Sequence, residues 1–162
     1  MMISKDDIVF ITRTTLHDLK MWSYDAEALI LRTGAAESRY KYLRQIGTGP
    51  ARSFWQVESE TAIDNIKNYL AYRKSKLELV AEISQTSPDI ITNLNDNTCT
   101  KMLTYNIAFA ICMARLKYWR IPKKIPSKDD IEGQGNYYIK YYNAGGKATM
   151  KKWKEAVELM EG

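Results

Sequence analysis

Apolar residues recur at helical spacing along most of this chain, and short polar turns separate the periodic segments. The first clear segment covers residues 24–36, where Ser23 is placed to cap the amino end of a helix. Ser59 is placed to begin a second helix, and a short third helix follows and is closed by Ser87-Pro88. The pattern therefore predicts several short helices in the first half of the chain.

The longest helical pattern covers residues 97–119 and is apolar on nearly every side from Ile107 to Met113. A helix that is apolar all round is typically buried, so we expect this one at the centre of the fold. Two further helices are predicted on its carboxyl side, over residues 127–142 and from Thr149 to Met160.

Residues 39–54 contain Gly47, Gly49 and Pro50 and therefore predict a loop. No long segment alternates apolar and polar residues with period two, as a half-buried strand would. We therefore expect strands at most in a short hairpin within residues 40–57. A length of 162 residues is the size of one domain, and no repeat or linker divides it. We predict a single, mainly α domain over residues 1–162, with a central buried helix and at most one short β-hairpin.

The net charge is +5, from 24 lysines and arginines against 19 acidic residues. This balance favours polyanionic surroundings, which include nucleic acid, anionic lipid and anionic cell-wall polymers. The basic residues are scattered, apart from short clusters at Lys123-Lys124 and Lys151-Lys152, and a solvated surface accounts for most of them. Nucleic acid is a disfavoured partner, because no run of basic residues is typical of a binding arm.

Side chains that hold metals or drive nucleophilic catalysis are scarce. His17 is the single histidine and has no serine motif around it, which argues against a histidine-based nucleophilic system and against zinc. Cys99 and Cys112 share one predicted helix, along which they are separated by roughly 20 Å, so we expect free buried thiols. Gly47-Thr48-Gly49 lacks the lysine of a phosphate-binding loop. We expect neither a metal nor a cofactor.

The first seven residues have no basic region leading into an apolar run, so no secretory signal is predicted. The longest strongly apolar stretch, Tyr105 to Met113, is half the length of a membrane span. We therefore expect a chain without a transmembrane segment that is made in the cytoplasm. A target outside the membrane would require another protein to deliver it.

Carboxylates remain as the acid–base candidates, and Glu37 differs from the others. It falls at the end of the helix predicted over residues 24–36, beside Ala35 and Ala36 and just before the loop. The negative end of the helix dipole and burial against a cleft wall would both raise its pKa. A carboxylic acid that stays protonated near neutral pH is what cleavage of a glycosidic bond requires.

Five short motifs then occur in an order that resembles one family of glycan-cleaving domains. They are Glu37-Ser38, Ala51-Arg52-Ser53-Phe54-Trp55-Gln56-Val57, Thr61-Ala62, Asn106-Ile107 and Tyr141-Tyr142-Asn143-Ala144-Gly145. Their order resembles that in the catalytic domain of the soluble lytic transglycosylases and, more loosely, in goose-type lysozymes. The resemblance implies a lysozyme-like helical fold and peptidoglycan glycan strands as the substrate.

The resemblance also implies a role for each matched side chain. Glu37 would act as general acid and then base at the β-1,4 bond between N-acetylmuramic acid and N-acetylglucosamine. Gln56 would line the glycan cleft, Tyr142 would bond to or orient Glu37, and Asn143 would help to hold the site together. Ser38, which follows the acid in its motif, would be a further contact to substrate.

The mechanism implied by the family uses one carboxylate for both steps. Glu37 would protonate the glycosidic oxygen, and the sugar would pass through an oxocarbenium-like state. The same carboxylate would then take a proton from the 6-hydroxyl of muramic acid, which closes a 1,6-anhydro ring. Hydrolysis would need a second acid, and Glu58 and Glu60 lie at a predicted helix start, where capping is the expected role.

The chain departs from the family pattern at several positions. Ser53 and Ala110 replace glycines, Met113 replaces a tyrosine, and Trp55 replaces a methionine. Ser53 would narrow the cleft, whereas Trp55 would either crowd the cleft or stack on a sugar face.

The carboxyl-terminal half contains a group of four tyrosines, at positions 137, 138, 141 and 142. Residues 138 and 142 share one face of the predicted helix, as do 137 and 141. Core packing is the main interpretation of such a stripe, and sugar stacking is the alternative for Tyr142.

Residues 115–122, and Tyr142-Asn143 with the Gly146-Lys147-Ala148-Thr149 that follows, resemble small proteins encoded by tailed bacteriophages. That resemblance implies a virion protein, or a protein of the host cytoplasm that is delivered to the periplasm and cell wall, with other virion or tail proteins as partners. Two alternatives stay open. One is a non-enzymatic virion or tail protein on the same fold, and the other is a small basic nucleic-acid-binding protein.

Overall fold

The computed structural model describes residues 3–162, so the first two residues of the stretch considered for a secretory signal lie outside it. Within residues 3–162 the chain forms nine α-helices and one 3-10 turn at Leu70–Tyr72, with no extended strand. The prediction of a mainly α fold is confirmed. The helices are α1 (Lys5–Asp18), α2 (Tyr24–Ser38), α3 (Ser59–Asn68), α4 (Lys74–Ile83), α5 (Pro88–Thr92), α6 (Asp96–Tyr105), α7 (Ile107–Trp119), α8 (Ile131–Tyr141) and α9 (Met150–Glu161).

Helix α7 is the centre of the fold. Every residue from Phe109 to Leu116 is buried, and the helix packs against α1, α2, α3, α4 and α6. A helix that is apolar on all sides gains most from complete burial, because no face of it has to meet water. The predicted central buried helix is therefore present.

The prediction of one long helix over residues 97–119 is wrong, because this segment forms two helices, α6 and α7. Asn106 separates α6 from α7, and its side-chain oxygen accepts a hydrogen bond from the Phe109 amide at 2.9 Å, which caps α7. Its side-chain amide donates to the Ser84 carbonyl at 2.9 Å. Cys99 and Cys112 consequently lie on different helices. Both are free and buried, and burial raises the pKa of each thiol to about 12.

Several predicted helix ends move by a few residues. Helix α2 runs to Ser38, two residues further than predicted, so Glu37 lies in its last turn. Helix α8 begins after Asp130, whose carboxylate accepts from the Gly133 amide. Ser59 does not cap α3, because its hydroxyl donates to the Asp96 carboxylate.

The predicted hairpin is reduced to two isolated bridges, which pair Arg52 with Arg44 and with Val57. Tyr40 anchors the loop of residues 39–54 to α2. It is fully buried, and its hydroxyl donates to the Leu31 carbonyl at 2.7 Å. A β-carbon at Gly34 would overlap with the Tyr40 ring, so this residue must be small for the loop to pack on α2.

The carboxyl-terminal helices complete the packing around α2. Helix α9 lies along α2 and also contacts α8, and α8 contacts α2 in turn. This arrangement brings the end of α8 beside the last turn of α2. Among the described helices, none combines the length and the apolar character that a membrane crossing requires.

Candidate functional site

Glu37 lies half-buried in the last turn of α2, where its carboxylate is held on one side. Its Oε1 accepts two hydrogen bonds, from the Tyr138 hydroxyl and from the Asn143 side-chain amide, each at 2.8 Å. Its Oε2 accepts none from the residues that the structure describes. One oxygen is therefore fixed and the other is available to a ligand.

Burial is the main influence on the ionisation of Glu37, and it raises the pKa of this carboxyl above its usual range. The hydrogen bonds from Asn143 and Tyr138 and the charge of Lys117 act in the opposite direction, because each favours the carboxylate. Burial prevails, so Glu37 holds a proton to a higher pH than an exposed glutamate does.

An open cleft with a volume of about 430 Å³ lies against Glu37. Its lining is mostly polar and comes from the loop before α3, from α7 and from the turn after α8. The lining residues are Glu37, Gln45, Ala51, Gln56, Glu58, Thr61, Lys117, Tyr142, Asn143, Ala144, Gly145 and Gly146.

Two further cavities adjoin this cleft. Glu37 and Asn143 also line a cavity of about 150 Å³ that contains Lys147 and Lys152. Gln45 also lines a cavity of about 640 Å³ formed mainly by residues 41–49. The two cavities therefore lie next to the cleft, and Glu37 lines both the cleft and the smaller of them.

Two of the predicted site residues, Asn143 and Gln56, line this cleft. Asn143 contacts Glu37 directly, and its side-chain oxygen accepts from the Ala148 amide at 3.3 Å, which sets the orientation of the amide group. Gln56 lines the same cleft and donates its amide to the Ser53 carbonyl at 2.8 Å.

The hydrogen bond predicted between Tyr142 and Glu37 is not formed. The Tyr142 hydroxyl donates to the Trp55 carbonyl at 2.6 Å, and Tyr142 is one of the residues that line the cleft. Tyr138, one turn earlier on the same face of α8, makes the contact with Glu37 instead. The sequence pattern placed both tyrosines on one face, but only the packing of α8 on α2 decides which turn is level with the carboxylate.

The predicted substrate contacts of Trp55 and Ser38 are also corrected. Trp55 has no exposed surface, and its indole N–H donates to the Ile30 carbonyl at 2.9 Å. Ser38 is buried and donates its hydroxyl to the Gly34 carbonyl at 3.1 Å. Neither side chain lines the cleft, so both belong to the packing that supports it.

The departures at Ser53 and Ala110 do not narrow the cleft. Ser53 is buried, and its hydroxyl accepts from the Trp55 amide at 3.2 Å. Its φ of 71° lies in the left-handed region that favours glycine. Ala110 is completely buried in the core. Neither residue is part of the cleft lining.

Two residues were missed as site residues in the sequence: Tyr138, which contacts Glu37, and Lys117, which lines the cleft. Lys117 donates from Nζ to the Tyr142 carbonyl at 2.7 Å and lies 4.2 Å from the centre of the Tyr142 ring. Burial lowers the pKa of Lys117, while the charges of Glu37 and Glu58 raise it. The sequence contains a signal for it, because Lys117 is a charged residue one turn after Met113, on the same face of the helix.

The other candidates lie outside this chemistry. His17 stacks on Trp22 with ring centres 4.4 Å apart. Across residues 3–162, no group of three or more histidine, cysteine, aspartate or glutamate side chains is arranged to hold a metal ion. The acidic residues of the cleft are Glu37 and Glu58, and Lys117 is its cation.

The raised pKa of Glu37 predicts a pH-dependent cost in stability. The folded state binds the Glu37 proton more tightly than the unfolded state does. The protonated carboxyl therefore adds to the free energy of unfolding below the usual pKa of 4.5, and this contribution is lost as pH rises through the pKa of the folded state. Glu37→Gln should therefore raise the thermal unfolding midpoint at neutral pH, with a difference that narrows as the pH falls below about 4.5. A midpoint difference that is the same at every pH would contradict this prediction.

Tyr138 and Tyr142 are expected to differ in their effect on Glu37. Tyr138→Phe removes a donor that favours the carboxylate, so it should raise the pKa of Glu37 further. Tyr142→Phe removes a hydroxyl that bonds to the Trp55 carbonyl and should leave that pKa nearly unchanged. Titration of the ¹³C-labelled glutamate carboxyls by NMR measures both. Equal shifts in the two variants would contradict the assigned hydrogen bond.

Comparison of the chain with models of protein families, with curated proteins and with solved structures finds no match. The chemistry of the cleft is therefore what bears on the function. It consists of one half-buried carboxyl with a raised pKa, two neutral donors that fix one of its oxygens, and an open, mostly polar cleft that the same residue lines.

Proposed function

We propose that this protein cleaves the glycan strands of peptidoglycan, with Glu37 as its single acid–base group. The observation that carries the proposal is the environment of Glu37. Its carboxyl group is half-buried in an open cleft, its pKa is raised, and only one of its oxygens is engaged. This is the state that a general acid needs near neutral pH.

The reaction uses the free oxygen of Glu37 twice. Protonated Glu37 gives its proton to the glycosidic oxygen as the bond from C1 breaks, and the sugar passes through an oxocarbenium-like state. The resulting carboxylate then takes the proton of the muramic acid 6-hydroxyl, whose oxygen bonds to C1. The proton is returned to Glu37, and no water is consumed.

Tyr138 and Asn143 stabilise Glu37 in the part of the reaction cycle in which it is a carboxylate. Both donate to Oε1, so they stabilise the carboxylate that exists after the glycosidic oxygen has been protonated. Because both donors are neutral, they lower the pKa of Glu37 less than an arginine would. Glu37 is therefore protonated again for the next turnover. This balance suits one group that must give and then take a proton.

The environment of Glu58 favours a mechanism with one carboxylate. Glu58 is exposed at the amino end of α3, and it is the other acid in the cleft. The groups that act on the pKa of Glu37 are Asn143, Tyr138 and Lys117, and Glu58 is not among them. Glycosidases with two carboxylates place both groups across the scissile bond.

The cleft and its two neighbouring cavities also suit a long, anionic polymer. The neighbouring cavities share Gln45, or Glu37 and Asn143, with the cleft, so they offer further surface to a glycan strand beside Glu37. Basic side chains outnumber the two acids that line these three cavities, which matches the anionic wall. The basic residues are Lys41, Arg44, Arg52, Lys117, Lys147 and Lys152.

The setting of this activity follows from the resemblance described above. We place the protein in a tailed-phage virion or in the host cytoplasm with delivery to the wall, and other virion or tail proteins are its proposed partners. The order of the five motifs supports the enzymatic class over a purely structural virion protein, because the matched residues Gln56 and Asn143 lie beside Glu37 in one cleft.

The test is digestion of purified peptidoglycan by the full chain, followed by mass spectrometry of the soluble products. We expect muropeptides that end in 1,6-anhydro-muramic acid and are lighter by one water than hydrolysed ends. Hydrolysed ends would mean that water attacks C1 in place of the 6-hydroxyl, so that no ring closes. Release of no fragments at any pH would contradict the proposal and favour a non-enzymatic virion protein.

A further inference from the structure

Arg115, on α7, is a buried cation that lacks a charged partner. Only 5 % of the residue is exposed. Its guanidinium has five N–H donors, yet it makes a single hydrogen bond, from Nε to the Met21 carbonyl at 3.1 Å. Nη1 is buried, and it has no partner among the described residues. Burial lowers the pKa of Arg115 to about 10, so the group is still charged at neutral pH.

A buried charge without a partner is costly, so its retention needs a reason. Within residues 3–162 no carboxylate forms an ion pair with Arg115. Its guanidinium also lies over the ring of Trp119, whose centre is 5.1 Å from the guanidinium carbon. An arginine in this state has unused, desolvated donors that an anion can satisfy.

Arg115 lines a cavity of about 400 Å³, which is within the range of small-molecule sites. The cavity is lined mainly by the apolar and aromatic side chains of Tyr118, Trp119, Ile121, Ile125 and Tyr137. The hydroxyls of Tyr118 and Tyr137 are engaged elsewhere, with Thr33 and with the Lys123 carbonyl. These walls therefore offer ring faces rather than donors. Lys123 and Lys124 add positive charge to the lining.

This cavity is separate from the Glu37 cleft. Tyr118 lines the cavity and stacks on Tyr142, with ring centres 5.0 Å apart, and Tyr142 lines the cleft. The two sites share no lining residue. Binding of a ligand at Arg115 therefore does not depend on the proposed cleavage of peptidoglycan.

We propose that this cavity binds a small carboxylate with an apolar body, in which the Arg115 guanidinium pairs with the carboxylate and the aromatic walls enclose the body. A planar guanidinium matches the geometry of a carboxylate and forms strong, charge-assisted hydrogen bonds with it. Lys123 and Lys124 attract an anion to the cavity. An uncharged apolar ligand would leave the buried cation without a partner.

Asp25 is the carboxylate that lines the cavity, and its charge would either repel an anionic ligand or pair with Arg115 in its place. Its Oδ1 accepts from the Lys128 amide at 2.8 Å, and it forms no ion pair with Arg115. If Asp25 repels the ligand, Asp25→Asn should strengthen the binding of a carboxylate. If Asp25 serves as the counter-ion through a small movement, it occupies the site in place of a ligand.

The experiment compares 3-phenylpropionate with 3-phenylpropanamide, an uncharged isostere, by NMR titration of the ¹⁵N-labelled full chain. We expect saturable binding of the acid with a shift of the Trp119 indole N–H, and binding of the amide that is roughly tenfold weaker or more. Hexanoate, which replaces the ring by an alkyl body, should compete with the acid. This comparison uses the parent protein and needs no variant to fold.

Arg115→Met should weaken binding of 3-phenylpropionate roughly tenfold or more, because it removes the charged donors. Arg120→Met is the matched control, since Arg120 pairs with Asp64 and does not line the cavity. Equal affinities for acid and amide, no saturable binding of either 3-phenylpropionate or hexanoate, or undiminished binding by Arg115→Met would each overturn the proposal. Weaker binding by Asp25→Asn would also overturn it.

Discussion

Glu37→Gln is expected to lower the release of soluble fragments from purified peptidoglycan by roughly 10³-fold or more. Glutamine has nearly the same shape and keeps the acceptor for Tyr138 and Asn143, so the cleft should retain its structure. It can neither give a proton to the glycosidic oxygen nor take one from the 6-hydroxyl. Because one group serves both steps, its loss should affect the entire cycle.

The matched control for this variant is Glu58→Gln, which removes the other carboxylate of the same cleft. We expect it to keep most of the activity, since Glu58 is exposed at a helix start and does not act on the pKa of Glu37. Circular dichroism should show the same helical signal for both variants. If Glu37→Gln cleaves as fast as the parent protein, Glu37 is not the acid.

Trp55→Ala is expected to lower the free energy of unfolding by about 3–5 kcal/mol, the usual range for truncation of a large buried aromatic residue. Trp55 has no exposed surface, and it packs edge-on against both Tyr40 and Phe54. Its indole N–H bond to the Ile30 carbonyl ties the loop to α2. The truncation therefore leaves a cavity and removes the hydrogen bond between the loop and α2. Equilibrium unfolding in urea measures the change.

Trp119→Ala is the control for this prediction, because 46 % of Trp119 is exposed. It should lower the free energy of unfolding by about 1 kcal/mol or less. The same pair of variants separates two interpretations of Trp55. If Trp55→Ala leaves stability unchanged and weakens only the binding of glycan, then Trp55 stacks on sugar, as the motif first suggested.

The helices of this protein are largely determined by local sequence. The apolar periodicity predicts the central helix because the residues of one turn and the next occupy one face wherever the chain is helical. Ser23 is confirmed as a cap for the same reason, since its side chain bonds to the Ala26 amide only three residues away. Asn106 was missed because periodicity continues across it, and its capping bond to Phe109 is visible only once α7 is known to begin there.

The candidate site depends much more on contacts between distant parts of the chain. Sequence reasoning identified the helix end that carries Glu37, and it named Asn143 as a companion through the resemblance to a family. It assigned the hydroxyl contact to Tyr142 instead of Tyr138, and it placed Trp55 at the substrate. Periodicity shows which residues share a face, but it contains no information about which turn of α8 is level with α2.

The sequence by itself thus determined that a glutamate ends an amphipathic helix just before a glycine-containing loop, because both features follow from neighbours a few residues apart. The tertiary structure decided the rest. Packing of α8 and α9 on α2 half-buries the Glu37 carboxyl, raises its pKa and supplies its donors from residues 138 and 143. Burial and hydrogen bonding across a hundred residues are properties of the folded chain, since they exist only where separate helices meet.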